Sequence, residues 1–196
     1  MSDFTAISSV TQTLKEMLET HITNSSEPLL SGVPIDLRTP REMREAPNAF
    51  GVSVWLYRVG RHGDLVNQPP KRSAPGKILH RSLPIDLHYL VTPIAKEPKD
   101  EQSLMGRVLQ VFNDHPILRG SDLRDDLKGS GEELRVVMDA LTLQEISQVW
   151  WALQESYQLS VAYLVQVVNI DSELEPIQTS QVVAKETEYE QILAVE

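Results

Sequence analysis

Asp86 and His88 are the side chains whose types and spacing come closest to an acid–base pair in this sequence. They lie two residues apart in the stretch Leu83–Pro93, LPIDLHYLVTP, so they point to the same side of an extended chain. A carboxylate beside an imidazole can orient the ring for proton transfer. However, GxSxG, HExxH and both phosphate-binding glycine motifs are absent from the sequence. A structural hydrogen-bonded pair is therefore the favoured interpretation, and a small hydrolase using Asp86 and His88 remains a remote alternative.

Metal and cofactor sites are not predicted either. The chain has no cysteine, which excludes thiol catalysis and cysteine-ligated zinc or iron–sulfur sites. No two of the five histidines are spaced i,i+4, and the run Asp122–Asp126 lacks the ligand spacing of a calcium loop. We predict no catalytic, cofactor-binding or metal-binding residue and no enzymatic activity.

Size and charge limit the class of protein further. The 196 residues include 41% hydrophobic residues, enough for one domain with a substantial core. A formal net charge of −10 argues against a general nucleic-acid binder, whose phosphate contacts need a basic surface. No signal peptide and no run of eighteen apolar residues is seen, so we expect no membrane span and a cytoplasmic location.

The strand Leu83–Pro93 is the element that must position Asp86 and His88. Its alternation predicts a packed face of Leu83, Ile85, Leu87, Tyr89 and Val91. The wetter face is predicted to carry Pro84, Asp86, His88 and Thr92, with Leu90 as the apolar exception. We expect the packed face to receive two amphipathic helices, at 4–22 and 143–157.

The remaining periodicity predicts an α+β fold. The N-terminal helix has an apolar stripe that begins at Phe4, and the 143–157 helix begins with a capping box, Thr142 to Glu145. Another helix is predicted at 100–113, and strands at 51–59, 133–141 and 159–170. Hairpin and helical connections then give a mixed, largely antiparallel sheet of about four strands with packed helices.

Two segments carry opposite charge. The loop 60–82 is basic in an acidic chain and is longer than an ordinary hairpin loop. Residues 172–196 are acidic and contain the β-prone stretch Ile177–Val183. A solvated loop and a frayed tail are one interpretation; an arm and an added strand that contact partners are the other. The candidate partner-contact residues are Arg61, Lys71, Arg72, Lys77, Arg81, Ile177, Val182 and Val183.

Four features, in this order, together resemble a known family. They are the N-terminal amphipathic helix, LPIDLHYLVTP at 83–93, LMGRVLQVFNDHP at 104–116 and LQEISQVWWALQESYQLSVAYLVQVVNID at 143–171. The set resembles the cap, or tail-terminator, proteins of extracellular contractile injection systems, specifically their N-terminal domain type. These systems are phage-tail-like particles typified by the Photorhabdus virulence cassettes and the antifeeding prophage.

This resemblance implies a non-enzymatic structural subunit with a fold like that of phage tail terminators. Residues 1–171 would form the cap domain and residues 172–196 an acidic tail or arm. The subunit would form a six-fold ring on the distal end of the tube and sheath, end their polymerisation and become part of a particle released from the cell. Its partners would be further copies of itself and the sheath and inner tube proteins, without nucleic acid or membrane. A baseplate or joining component of a related particle is the alternative.

Overall fold

The computed structural model of this chain describes residues 3–65, 67–70, 72–74 and 77–178. The helices in these residues are α1 (Ala6–Leu18), α2 (Pro40–Glu45), α3 (Pro98–Asp114) and α4 (Leu143–Ala152). The strands are β1 (Ile35–Asp36), β2 (Gly51–Arg61), β3 (Arg72–Ala74), β4 (Lys77–Ile78), β5 (Leu83–Ile94), β6 (Ile117–Arg119), β7 (Glu133–Asp139), β8 (Val161–Ile170) and β9 (Ile177–Gln178). The predicted α+β class is confirmed.

Six strands form the main sheet, in the order β1-β2-β5-β8-β7-β6. β1 pairs with β2 in parallel and the other neighbours are antiparallel, so the sheet is mixed as expected. The predicted strand at 83–93 is β5 and lies between β2 and β8. The expectation of about four strands was too low, because the short edge strands β1 and β6 extend the sheet on both sides. Strands of two or three residues are too short to show a periodic pattern.

One face of this sheet packs against α1 and α3, and we call it the α1 face. Ile85, Leu87, Tyr89 and Val91 of β5 are all buried there, as their spacing predicted. The hydroxyl groups of Tyr89 and Thr11 are 2.7 Å apart, which satisfies the buried phenol against α1. Leu83, which was predicted on the same face, is 45% exposed because it lies at the rim of the sheet.

The opposite face, which we call the α4 face, is covered in part by α4. Leu90 packs in a separate buried cluster with Ile146, Trp150 and Leu153 of the α4 region. The expectation that the 143–157 helix packs on the same face as the N-terminal helix was therefore wrong. Leu90, treated as an exception to the wetter face, marks where α4 binds. Thr92 was also wrongly placed on a wet surface, because it is fully buried on this face.

Local signals explain where most helices begin and end. At the start of α4, the Thr142 hydroxyl accepts a hydrogen bond from the Glu145 amide, and the Glu145 carboxylate accepts one from the Thr142 amide, as the capping box predicted. α4 ends at Ala152, earlier than the predicted Tyr157, and Gln154 adopts the left-handed backbone region with a φ of 57°.

At the N-terminus, α1 begins at Ala6 and is extended by a π-helical turn at Glu19–Thr23. Phe4 therefore lies outside the helix and is 78% exposed, contrary to its predicted place on the stripe. The helix α2 was not predicted at all. A capping box from Thr39 to Glu42 with Pro40 at the first helical position marks its start, and that signal was available in the sequence.

Candidate partner interface

The basic segment 60–82 connects β2 to β5, and we call it the basic arm. The two strands are antiparallel neighbours, with Arg61 opposite Ile85 at the base of the arm, so the predicted hairpin connection is confirmed. Within the arm, β3 pairs with β4, and Arg72 lies opposite Ile78. The arm therefore contains a small ladder of its own and is not simply an irregular loop.

The first part of the predicted acidic tail contacts this arm. β9 pairs antiparallel with β4, so that Lys77 lies opposite Gln178 and Ile78 opposite Ile177. β3, β4 and β9 together form a separate three-stranded sheet. The two oppositely charged segments thus meet within one chain through backbone pairing. The addition of Ile177–Val183 to a partner sheet stays a prediction, and residues 179–183 lie outside the described part of the chain.

The predicted partner-contact residues fall into two groups. Arg61, Arg72, Lys77 and Arg81 are exposed on the arm, and Ile177 is 49% exposed beside it. Among residues 3–65, 67–70, 72–74 and 77–178, no salt bridge engages these four cations. The remaining candidates, Lys71, Val182 and Val183, lie outside the described residues.

A cleft of about 320 Å³ opens between the arm and the segment that follows β8. Its apolar lining comprises Leu65, Pro69, Pro70, Leu79, Pro84 and Leu174. On its polar side, the Ser82 hydroxyl donates a 2.6 Å hydrogen bond to the Asp171 carboxylate. His80 and Arg81 line the same cleft. No local pattern in the sequence predicts this cleft, because two segments about ninety residues apart must meet to form it.

Asp86 and His88 do not form a pair with each other. Both Asp86 carboxylate oxygens lie 2.9 Å from Nδ1 of His62, whereas Nδ1 of His88 lies 3.1 Å from a carboxylate oxygen of Asp139. The four side chains are only 15–25% exposed, and neither Asp86 nor His88 lines the cleft beside the arm. The favoured interpretation of a structural Asp86–His88 hydrogen bond was therefore wrong, because each side chain binds a residue outside β5: His62 just after β2, and Asp139 at the end of β7.

The partners of these two residues, His62 and Asp139, were not identified from the sequence. Asp139 is the last residue of β7 and His88 lies on β5, with β8 between them. Only the register of three strands brings the two side chains together. The ring of Tyr57 lies 6.0 Å from that of His88. Burial, and to a smaller extent the charge of Asp139, raises the pKa of Tyr57.

Within the part of the chain that the structure describes, no three His, Asp or Glu side chains converge in a way that would hold a metal ion. None of its helices combines the length and apolar composition that crossing a bilayer requires.

Comparison with known proteins gives a family and a fold. The family model for the Pvc16 N-terminal domain matches residues 9–184. A sheath/tube terminator of an extracellular contractile injection system, PVC, in its extended state superposes with a TM-score of 0.65 at 18% identity, over 97% of this chain and 65% of that one. The tube-terminating cap of the anti-feeding prophage superposes with a TM-score of 0.63, also at 18% identity, over 92% of this chain and 60% of that one.

This chain thus spans less than two thirds of the length of either solved terminator. At 18% identity these similarities establish a shared fold. A search among curated protein sequences gave no match.

Proposed function

This chain belongs to the Pvc16 N-terminal domain family, and from that membership we propose that it is a structural cap, or tail-terminator, subunit of a phage-tail-like contractile injection system. The observation that carries the proposal is the family match over residues 9–184. The fold that the chain shares with a sheath/tube terminator and with a tube-terminating cap supports it. The role is non-enzymatic: the subunit ends the polymerisation of tube and sheath at the distal end of the particle.

The assembled form that we propose is a homohexameric ring, built in the cytoplasm on the end of the tube and sheath and released with the particle. A closed ring needs a heterologous interface, in which one surface of a subunit contacts a different surface of its neighbour. The six-stranded sheet supplies the body of such a subunit, and the basic arm, which pairs in a separate sheet, supplies a distinct surface for a neighbour. Residues 1–171 form the cap domain in this proposal, and residues 172–196 an acidic arm.

Electron cryomicroscopy of particles from cells with and without this protein tests the proposal. We expect density for the subunit at the particle end opposite the baseplate, and tubes and sheaths of uncontrolled length when it is missing. Restoring the protein should restore a uniform length. Density at the baseplate, or at a joint elsewhere in the particle, would support the alternative of a baseplate or joining component.

We further propose that the basic arm contacts an adjacent subunit or a sheath protein. The support is its exposed cations, which have no acidic partner in the described part of this chain. Reversing Lys71, Arg72 and Lys77 to glutamate should impair ring assembly while the isolated subunit stays folded. The control reverses three exposed lysines elsewhere, Lys96, Lys99 and Lys128, which changes the net charge equally. Equal assembly of both variants would contradict a role for the arm.

The tail is proposed to pair with a partner sheet through Ile177–Val183. Deletion of the tail tests this role, and two deletions are needed. Removing residues 172–196 also removes β9, the strand that pairs with β4 of the arm. Deleting 179–196 keeps β9, whereas deleting 172–196 does not. If Ile177–Val183 adds a strand to the sheath, both deletions should weaken docking to the sheath end, because each removes all or most of that stretch. Normal docking after the 179–196 deletion would contradict that role.

A hydrolase that uses Asp86 and His88 gains no support from their geometry. That alternative requires both side chains in one pocket with a third polar group. Instead, the two bind different partners, His62 and Asp139.

A further inference from the structure

We propose that the cleft beside the basic arm is a docking site for residues 186–196 of the same chain. The occupant is an acidic segment with an apolar end, and it folds back onto the arm of its own subunit. The proposed contact lies within one chain and is therefore independent of the cap function. It can be tested in the isolated protein.

The chemistry of the cleft defines the kind of ligand it fits. Leucine and proline side chains form most of its apolar lining. The described acid in the lining, Asp171, already accepts a hydrogen bond from Ser82. Two cations lie at or near the cleft. Arg81 is part of its lining, and Lys77 is on β4, two residues before the lining residue Leu79. A short peptide with aliphatic side chains and several carboxylates matches this combination of apolar wall and exposed cations.

Residues 186–196, ETEYEQILAVE, have that composition. Glu186, Glu188 and Glu190 come first, and the aliphatic residues Ile192, Leu193 and Val195 follow, without a single basic residue. The aliphatic end can enter the cleft while the carboxylates lie along the arm. In this arrangement Lys77 and Arg81 gain acidic neighbours, and the aliphatic side chains leave water.

The course of the chain places this segment within reach. β9 pairs with β4 up to Gln178, and the residue after β4, Leu79, lines the cleft. From Gln178 to Glu186 the chain takes eight steps, which span at most about 27 Å when extended. A tether this short gives the segment an effective concentration of the order of millimolar. Even weak intrinsic binding then favours the segment of the same chain over that of another copy.

Paramagnetic relaxation in the full-length protein tests this placement. The chain has no cysteine, so Ala194→Cys provides a single attachment point for a nitroxide. We expect the oxidised label to reduce the amide resonance intensities of Leu79, Ser82 and Leu174 in the cleft, and to leave that of Gly106 on α3 unchanged. The effect should persist when the protein is diluted, because the contact is intramolecular.

Variants on both sides of the contact sharpen the test. Lys77→Glu with Arg81→Glu should restore the cleft intensities, whereas Lys99→Glu with Lys128→Glu, which changes the net charge equally, should not. On the tail side, Ile192→Ser with Leu193→Ser should also restore them, and it leaves the described domain untouched. The proposal is overturned if the label does not affect the cleft, if its effect survives the charge reversal, or if it arises only between labelled and isotope-labelled copies in a mixed sample.

Discussion

The central strand β5 contributes to both faces of the main sheet, and the two faces differ in how much apolar surface they bury. On the α1 face, residues from all six strands join α1 and α3 in a continuous hydrophobic cluster. On the α4 face, the buried cluster comprises Leu90, Ile146, Trp150 and Leu153. Polar pairs also lie on this face: Asp86 with His62, the residue after β2, and His88 with Asp139 of β7.

The difference teaches where the stability of this subunit resides. Removing apolar area from water contributes roughly 25 cal/mol per Å², so a cluster that spans the whole sheet dominates the free energy of folding. A half-buried polar pair contributes about 0.5–1.5 kcal/mol net, because both groups also lose hydrogen bonds to water. The α1 face therefore contributes most of the free energy of folding. Polar groups on the α4 face cost less stability, because that face contributes less.

Matched leucines on β5 test this comparison most directly. Leu87 on the α1 face and Leu90 on the α4 face are both fully buried. We expect Leu87→Ala to lower the free energy of unfolding by about 3–5 kcal/mol and Leu90→Ala by about 2–3 kcal/mol. The smaller cost is expected because a single helix over a small cluster can settle into the space. Urea unfolding measures both, and a larger loss for Leu90→Ala would reverse the comparison.

Weakening the N-terminal cap of α4 should give the next largest loss in the free energy of unfolding. Thr142→Ala removes the hydroxyl that accepts the Glu145 amide and should lower the free energy of unfolding by about 1 kcal/mol. Amide hydrogen exchange should speed up in α4 and remain unchanged in α1. Thr20→Ala is the control, because that exposed hydroxyl only donates to the Glu16 carbonyl within its own helix. Uniform acceleration across both faces would mean that α4 opens only with the whole domain.

The two Asp–His pairs should give a smaller coupling, which double-mutant cycles can measure. We expect a coupling of about 0.5–1 kcal/mol between His88 and Asp139, using His88→Ala and Asp139→Ala. Asp86 and His88 are close in sequence and have different partners, so their coupling should lie within about 0.3 kcal/mol of zero. A strong coupling between Asp86 and His88 would restore the acid–base pair as a functional unit.

The smallest effect is a pH dependence at the start of α4. Hydrogen bonds from the Thr142 amide and hydroxyl lower the pKa of Glu145 below its usual 4.5. A carboxyl whose pKa is lowered on folding contributes stability above its unfolded pKa and loses it as the pH falls through the folded pKa. The advantage in melting temperature of the wild type over Glu145→Gln should therefore shrink as the pH falls below the usual glutamate pKa of 4.5. A difference that stays constant with pH would contradict this assignment.

The sequence by itself determined the elements that show a long, regular pattern. The alternation of β5, the capping box at Thr142 and the apolar run of β8 each depend on neighbours within a few residues, so local physics is sufficient. The α+β class follows from those elements, and the resemblance of the segments at 83–93, 104–116 and 143–171 pointed to the family that the comparison established. The short elements α2 and β6 were not predicted because their patterns are brief, although the cap at Thr39 marks the start of α2.

Only the tertiary structure decided which face each helix covers and which side chains meet. From the alternation alone, Leu90 could be either a stray apolar residue on a wet face or part of a packed surface. Only the tertiary structure shows that α4 covers it. Asp86 and His88 are two residues apart, yet strand register gives each of them a partner 24 or 51 residues away. The pairing of β9 with the basic arm likewise joins segments about a hundred residues apart. Such contacts depend on loop closure and sheet order, which no local sequence pattern encodes.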